Sequence, residues 1–183
     1  MQVLDLKLSG LKLILPKIFK DDRGFFFESF RREDFKEVGI DIPFVQDNVS
    51  YSTKGAVRGL HFQSSPGQDK LISCVQGEIW DVVVDLRQNS TTFLKWNAVI
   101  LNEKDNQQLF IPKGFAHGFC VLTSIARVHY KVSSYYNPET EKSICWNDPD
   151  INIDWPIKDP ILSKRDQESP FLREMQDVAL DHR

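Results

Sequence analysis

Leu71-Ile72-Ser73-Cys74-Val75-Gln76-Gly77-Glu78-Ile79-Trp80-Asp81-Val82-Val83-Val84-Asp85-Leu86 reads as two β-strands meeting at a glycine turn. Leu71 to Val75 and Ile79 to Leu86 are short and rich in β-prone residues, and Gln76-Gly77-Glu78 between them predicts a hairpin. Side chains alternate across a strand. Trp80, Val82, Val84 and Leu86 therefore form one apolar row, and Asp81 and Asp85 share the opposite face with Val83. The same texture extends outward in both directions. Phe93 to Leu101, Gln107 to Ile111 and Arg127 to Tyr136 are further strands, separated by the polar turn Asn102-Glu103-Lys104-Asp105-Asn106 and by Pro112-Lys113-Gly114. Helix signals are confined to Arg32 to Val38 and to Pro170 to Leu180, where proline sits near the start. Many short strands joined by tight turns predict an all-β sandwich or barrel with a few short helices. No repeat or linker divides the chain, so residues 1–183 are expected to form one domain.

Of the 183 residues, 41% are hydrophobic and 27% charged, and the net charge of −3 argues against a nucleic-acid partner. Any anionic ligand must then be held by local cations. Cys74, Cys120 and Cys145 are far apart and form no CxxC pair, so buried reduced thiols are expected. Met1 to Gly10 interleaves Asp5, Lys7 and Ser9 with leucines, and no stretch is apolar enough for a signal peptide or a bilayer span. A cytoplasmic protein with no membrane partner is the expectation.

Two segments carry chemistry. Val57-Arg58-Gly59-Leu60-His61-Phe62-Gln63 and Phe110-Ile111-Pro112-Lys113-Gly114-Phe115-Ala116-His117-Gly118-Phe119 each place one histidine among glycines and a basic residue. His61 is either a histidine satisfied by a carbonyl or a base, and Arg58, Gly59 and Lys70 nearby tilt the reading to a base. Lys70 falls in parity with Ile72 and Cys74, which points its ammonium inward near the barrel mouth, a costly place without an anion. By the same parity Val128, Tyr130 and Val132 look inward and Arg127, His129 and Lys131 outward. Tyr130 is either a filler of the barrel or a general acid facing His61. Asp166 is either a surface loop residue or the carboxylate that orients His61. A β-barrel metal site often uses His-x-His on one strand; the second position here is Gln63, and no third histidine has convincing spacing, so no metal is expected. Phe25-Phe26-Phe27 either plugs a subunit interface or stacks on a planar ligand. Gln46-Asp47-Asn48-Val49-Ser50 offers side chains suited to a sugar or nucleoside, or else turn chemistry.

Taken together, these segments resemble the dTDP-4-dehydrorhamnose 3,5-epimerase family, from Asp22-Arg23-Gly24-Phe25-Phe26 through Phe44-Val45-Gln46-Asp47-Asn48 to Trp146-Asn147-Asp148-Pro149 and Leu162-Ser163-Lys164-Arg165-Asp166. The resemblance implies a cupin-type β-jelly roll (a double-stranded β-helix) without metal or cofactor, working as a homodimer with strands exchanged near the N-terminus. It implies His61 as base, Asp166 as its orienting partner, Tyr130 as acid on the opposite sugar face and Lys70 as support for the enolate oxygen. It assigns Arg23, Glu28, Gln46, Asp47, Asn48, Arg58, His117, Glu141 and Arg165 to binding of a dTDP-sugar, with Phe26 and Tyr136 packing around it. The implied reaction is inversion at carbons 3 and 5 of a 4-keto sugar. A 3-epimerase or 3,4-ketoisomerase of the same fold, a metal-dependent cupin and a non-catalytic carbohydrate-binding β-domain are the alternatives.

Overall fold

The stretch 71–86 forms strands but not a hairpin. The computed structural model describes residues 1–175. Among them run strands β1 (Gln2–Asp5), β2 (Lys12–Leu15), β3 (Phe19–Asp21), β4 (Gly24–Phe26), helix α1 (Arg32–Glu37), then β5 (Gln46–Thr53), β6 (Val57–Gln63), β7 (Lys70–Gln76) and β8 (Glu78–Asp85). They continue with β9 (Trp96–Asn102), β10 (Gln108–Ile111), β11 (Phe115–Val121), β12 (Ile125–Val132), β13 (Glu141–Ser143) and the short helix α2 (Lys164–Gln167). One sheet has the order β1-β2-β10-β7-β12-β5, the other β13-β6-β11-β8-β9, and β3–β4 form a separate ribbon. Every pairing between named strands is antiparallel.

β7 and β8 thus belong to different sheets, and the predicted hairpin is a crossover between them. Gly77 has φ +78°, and a Cβ there would lie 2.1 Å from the Ile125 carbonyl oxygen, so the chain passes through a gap that only glycine fits. A glycine turn between two strands signals the change of direction but not which partner each strand finds. Strand limits shift for similar reasons. β9 starts at Trp96 because Leu94 N–H and Lys95 C=O still bond the Asp85 backbone in a turn. β12 ends at Val132, which frees Tyr136 to cross to β5, where its N–H donates to Gln46 Oε1 at 3.1 Å. The helix expected over Pro170 to Leu180 begins as one 3₁₀ turn at Leu172–Glu174; from residue 176 it lies outside the described residues.

Three apolar layers hold the fold. Between the sheets, Ile72, Cys74, Val83, Leu109, Phe115, Phe119 and Val128 interlock. On the outside of the second sheet, Val82, Val84 and Leu86 pack with Leu60, Phe62, Trp80 and Trp155 under the C-terminal strap. α1 buries Phe35 against Ile14, Leu71 and Phe110 on the outside of the first sheet. A fully buried side chain of this size stabilises by about 1.5–3 kcal/mol. The apolar row of β8 accordingly faces the strap, and the acidic face with Val83 looks into the barrel. The three cysteines are buried and unpaired. Among the described residues no helix is long and apolar enough to cross a membrane.

Candidate active site

His117 sits opposite His61 and Phe119 opposite Arg58, so β6 takes three steps where β11 takes two. One extra residue has been inserted at Gly59–Leu60, a bulge. It lets Arg58 and His61, which strict alternation would put on opposite faces, both look into the barrel. The bulge needs glycine on both strands. Gly59 has φ +121° and a Cβ on it would stand 2.6 Å from Gly118 Cα; a Cβ on Gly118 would stand 2.8 Å from the Arg58 carbonyl oxygen.

Arg58, His61, Lys70, His117 and Tyr130 line one cavity of about 190 Å³ between the sheets, closed at the sides by Gln46, Asn48, Tyr136 and Glu141. His61 Nε2 lies 2.6 Å from Asp166 Oδ1. Asp166 arrives from α2, 105 residues along, on a strap sewn to the barrel by Val57 N–H to the Ile161 carbonyl and Leu172 N–H to Asp148 Oδ2. Ser163 caps α2 by accepting from Asp166 N–H, and its hydroxyl donates to Asp166 Oδ2 at 2.8 Å. Burial pushes the Asp166 carboxyl up, but His61, Ser163 and Arg165 outweigh it and hold it below the ordinary carboxylate range. An ionised partner fixes one imidazole nitrogen as a donor and leaves the other free.

A second imidazole–carboxylate pair lies deeper. His117 Nε2 is 2.8 and 3.0 Å from the two oxygens of Asp81, which is wholly buried. Burial raises the Asp81 carboxyl against the pull of His117 and Lys70. Lys70 Nζ lies 3.5 Å from the His61 carbonyl oxygen; burial lowers its ammonium to about 8, against the attraction of Glu141 and Asp81. Burial also raises the Tyr130 phenol. The Tyr130 ring is wedged edge-on against His117, centroids 6.4 Å apart, and against Phe119 at 6.5 Å. The cavity therefore joins an oriented imidazole, a protonated phenol and a cation in one apolar-walled space, the parts needed to move a proton on and off carbon.

Gln46, Asn48, Arg58, His61, Lys70, His117, Tyr130, Tyr136 and Glu141 thus converge, and Arg165 joins them by pairing with Glu141 at 2.6 Å. Asp47 does not: alternation on β5 turns it to the far face, where Lys131 donates to it at 2.9 Å. Arg23, Phe26 and Glu28 also stand apart. Arg23 pairs with Asp21 and its side chain is 90% exposed, Phe26 is 66% exposed on the β3–β4 ribbon, and Glu28 pairs with Arg31. Ser50, whose Oγ touches the phenol, and Asp81 were not anticipated as site residues. Inward parity of β5 and β8 was the available signal for both. Gln63 accepts from Thr140 Oγ1 at 2.6 Å. Among the described residues no group of three or more His, Cys, Asp or Glu side chains is arranged to hold a metal ion.

Residues 5–174 match the sequence model of the dTDP-4-dehydrorhamnose 3,5-epimerase family. The chain belongs to that family. Its dTDP-4-dehydrorhamnose 3,5-epimerase relative from Neisseria gonorrhoeae is 51% identical over 167 residues, covering 91% of this chain; the chain spans about half, 51%, of that longer protein. The Escherichia coli dTDP-4-dehydrorhamnose 3,5-epimerase is 49% identical over 170 residues, 91% of this chain and 92% of its own. Among solved structures, the Legionella pneumophila dTDP-6-deoxy-D-glucose-3,5-epimerase in complex with dTDP-4-keto-L-rhamnose superimposes with a TM-score of 0.95. It is 44% identical, and the match covers 100% of this chain and 98% of that one. Membership in the dTDP-4-dehydrorhamnose 3,5-epimerase family makes the chain an isomerase, and the jelly roll expected from its sequence is borne out.

Proposed function

We propose that the cavity between the sheets is where this chain, as a dTDP-4-dehydrorhamnose 3,5-epimerase, inverts carbons 3 and 5 of dTDP-4-keto-6-deoxy-D-glucose. The product is dTDP-4-keto-L-rhamnose, on the way to dTDP-L-rhamnose. What supports the reading is a single geometry: the His61–Asp166 pair at 2.6 Å on the wall of a cavity that Tyr130 and Lys70 also line. Protons on carbons 3 and 5 are acidic because each carbon flanks the 4-keto group. His61 takes one with its free nitrogen, and Asp166 steadies the imidazolium that results. The electron pair moves to oxygen 4, where the Lys70 ammonium meets it with a charge-assisted hydrogen bond. Tyr130 then gives its phenolic proton to the opposite face of the same carbon, and the centre is inverted. Repeating the cycle at the second carbon completes the change from D to L without net oxidation.

Arg58, with Arg165 held by Glu141, supplies cations for the diphosphate on a chain whose net charge is negative. Gln46, Asn48, His117 and Tyr136 frame the sugar and base. Arg23, Phe26 and Glu28 reach the cavity of a partner subunit in a homodimer, through exchange of the N-terminal ribbon, and the single-domain chain works in the cytoplasm. Purified protein, incubated with dTDP-4-keto-6-deoxyglucose in deuterium oxide, is expected to incorporate deuterium at both carbons and to yield the L-sugar, followed by NMR and by a reductase consuming NADPH. Exchange at carbon 3 alone would make it a 3-epimerase. Exchange at neither would sink the reading.

A further inference from the structure

Ser50 has no part in the reaction described above, yet its Oγ lies 3.0 Å from the Tyr130 hydroxyl. Among the described residues it is the phenol's one hydrogen-bond partner within the protein. Along β5 the side chains of Gln46, Asn48, Ser50 and Ser52 alternate inward, and the register sets Asn48 opposite Tyr130 and Ser50 opposite Val128. Ser50 is therefore the diagonal neighbour of Tyr130, within reach of a long aromatic side chain. The ring itself is fixed by His117 and Phe119, and only the oxygen end remains to be aimed. The next inward residue, Ser52, does the same for the other flank: it accepts from Arg58 Nε at 2.8 Å.

We infer that Ser50 is a positioning residue for Tyr130, whose hydroxyl aims the phenol at the sugar and then donates a hydrogen bond to the phenolate left behind. The inference rests on the role of Tyr130 as acid proposed above. When the phenol delivers its proton, its O–H bond breaks, a C–H bond forms, and the enolate's charge passes to the phenol oxygen. The phenol is buried, so that charge is expensive to hold. The Ser50 hydroxyl, which accepts from the phenol beforehand, turns to donate to the phenolate. The proton gained by His61 and the one lost by Tyr130 are re-equilibrated through water.

The test compares two routes in the full chain with dTDP-4-keto-6-deoxyglucose in deuterium oxide. Deuterium in recovered substrate of unchanged configuration reads His61 alone, because the proton leaves and returns on one face. Inverted product reads delivery by Tyr130. Ser50→Ala is expected to keep exchange with retention within about twofold while inversion falls on the order of tenfold or more, as for loss of a hydrogen bond to a charged group. Ser50→Thr, which keeps the hydroxyl, is expected to restore most of the inversion. An unchanged ratio of inversion to exchange in Ser50→Ala overturns the inference, as does loss of both routes in both variants. A wild-type protein that exchanges at neither carbon would instead remove the parent reading.

Discussion

His61 has one nitrogen committed to Asp166 at 2.6 Å and one facing the cavity, so its substitution removes the base without a substitute in reach. His61→Ala is expected to lower kcat by about 10²–10⁴ or more, measured by the coupled reductase assay. Lys70 makes a prediction with a sign. Its ammonium loses its proton near 8 rather than at 10.5, and only the charged form can steady an enolate, so kcat/KM should fall as pH rises through about 8. Lys70→Arg should carry the charge past that point and remove the falling limb, at the cost of misplaced donors and a lower plateau. A limb that persists in Lys70→Arg assigns it to another group. For stability the sign is opposite: the unfolded chain keeps that proton up to about 10.5, so raising the pH from 8 to 10.5 relieves a cost of folding at this position. At this scale much was legible. Inward parity of Lys70 and Tyr130 follows from the strand period alone, and the environment matches it. Asp166 was not legible from spacing, since 105 residues of chain separate it from His61, and only family resemblance linked them.

The bulged pair of strands β6 and β11 sets the site's width, and its glycines are the place to disturb it. Gly59→Ala puts a methyl group 2.6 Å from Gly118 Cα at φ +121°. The expected outcome is a strain of about 1–3 kcal/mol or more, seen as a drop of roughly 2–4 °C in Tm for each kcal/mol. A variant melting with the wild type would show that the strands can part freely here. Asp81 and His117 form the other sensitive element. Asp81→Ala leaves a deep histidine unpaired, and breaking a buried pair from one side costs about 3–5 kcal/mol; urea unfolding measures it. The elements were read with uneven success for a clear reason. Local sequence fixes strand and turn, so β8, β10 and α1 fall where expected within a residue or two. Sheet membership is set by distant partners, so the hairpin expected at Gly77 is a crossover. The bulge was equally invisible, because Arg58 and His61 look like residues of opposite faces until the partner strand is known.

On the scale of the whole molecule, the surface does not suit an isolated chain. Phe19, Phe25 and Phe26 are more than half exposed, and Val49 and Tyr51 present an apolar edge on β5. The proposed homodimer covers such surface and brings Arg23 and Phe26 to a neighbouring cavity. Light scattering during gel filtration should give twice the chain mass. A complementation test goes further. Arg23→Ala and His61→Ala are each expected to be impaired alone. If Arg23 serves the partner's cavity, mixed dimers hold one site with both residues intact, and random pairing in a two-fold assembly restores roughly a quarter of the wild-type sites. Mixtures no better than their parents would put Arg23 in its own chain's site or in none. This arrangement could not be read from the exposed ribbon, which in one subunit points its arginine at Asp21 and solvent.

The extra residue at Gly59–Leu60 has a consequence for how this gene can change. Loss of one codon between Arg58 and His61 would restore strict alternation and send either the guanidinium or the imidazole out among Val84 and Trp155, beneath the strap. Frame-preserving length variation should therefore be lethal to activity inside β6 yet tolerated a few residues later, in the 64–69 turn outside the ladder. A library of single-residue deletions walked from Val57 to Lys70 would trace that border as an abrupt recovery of turnover.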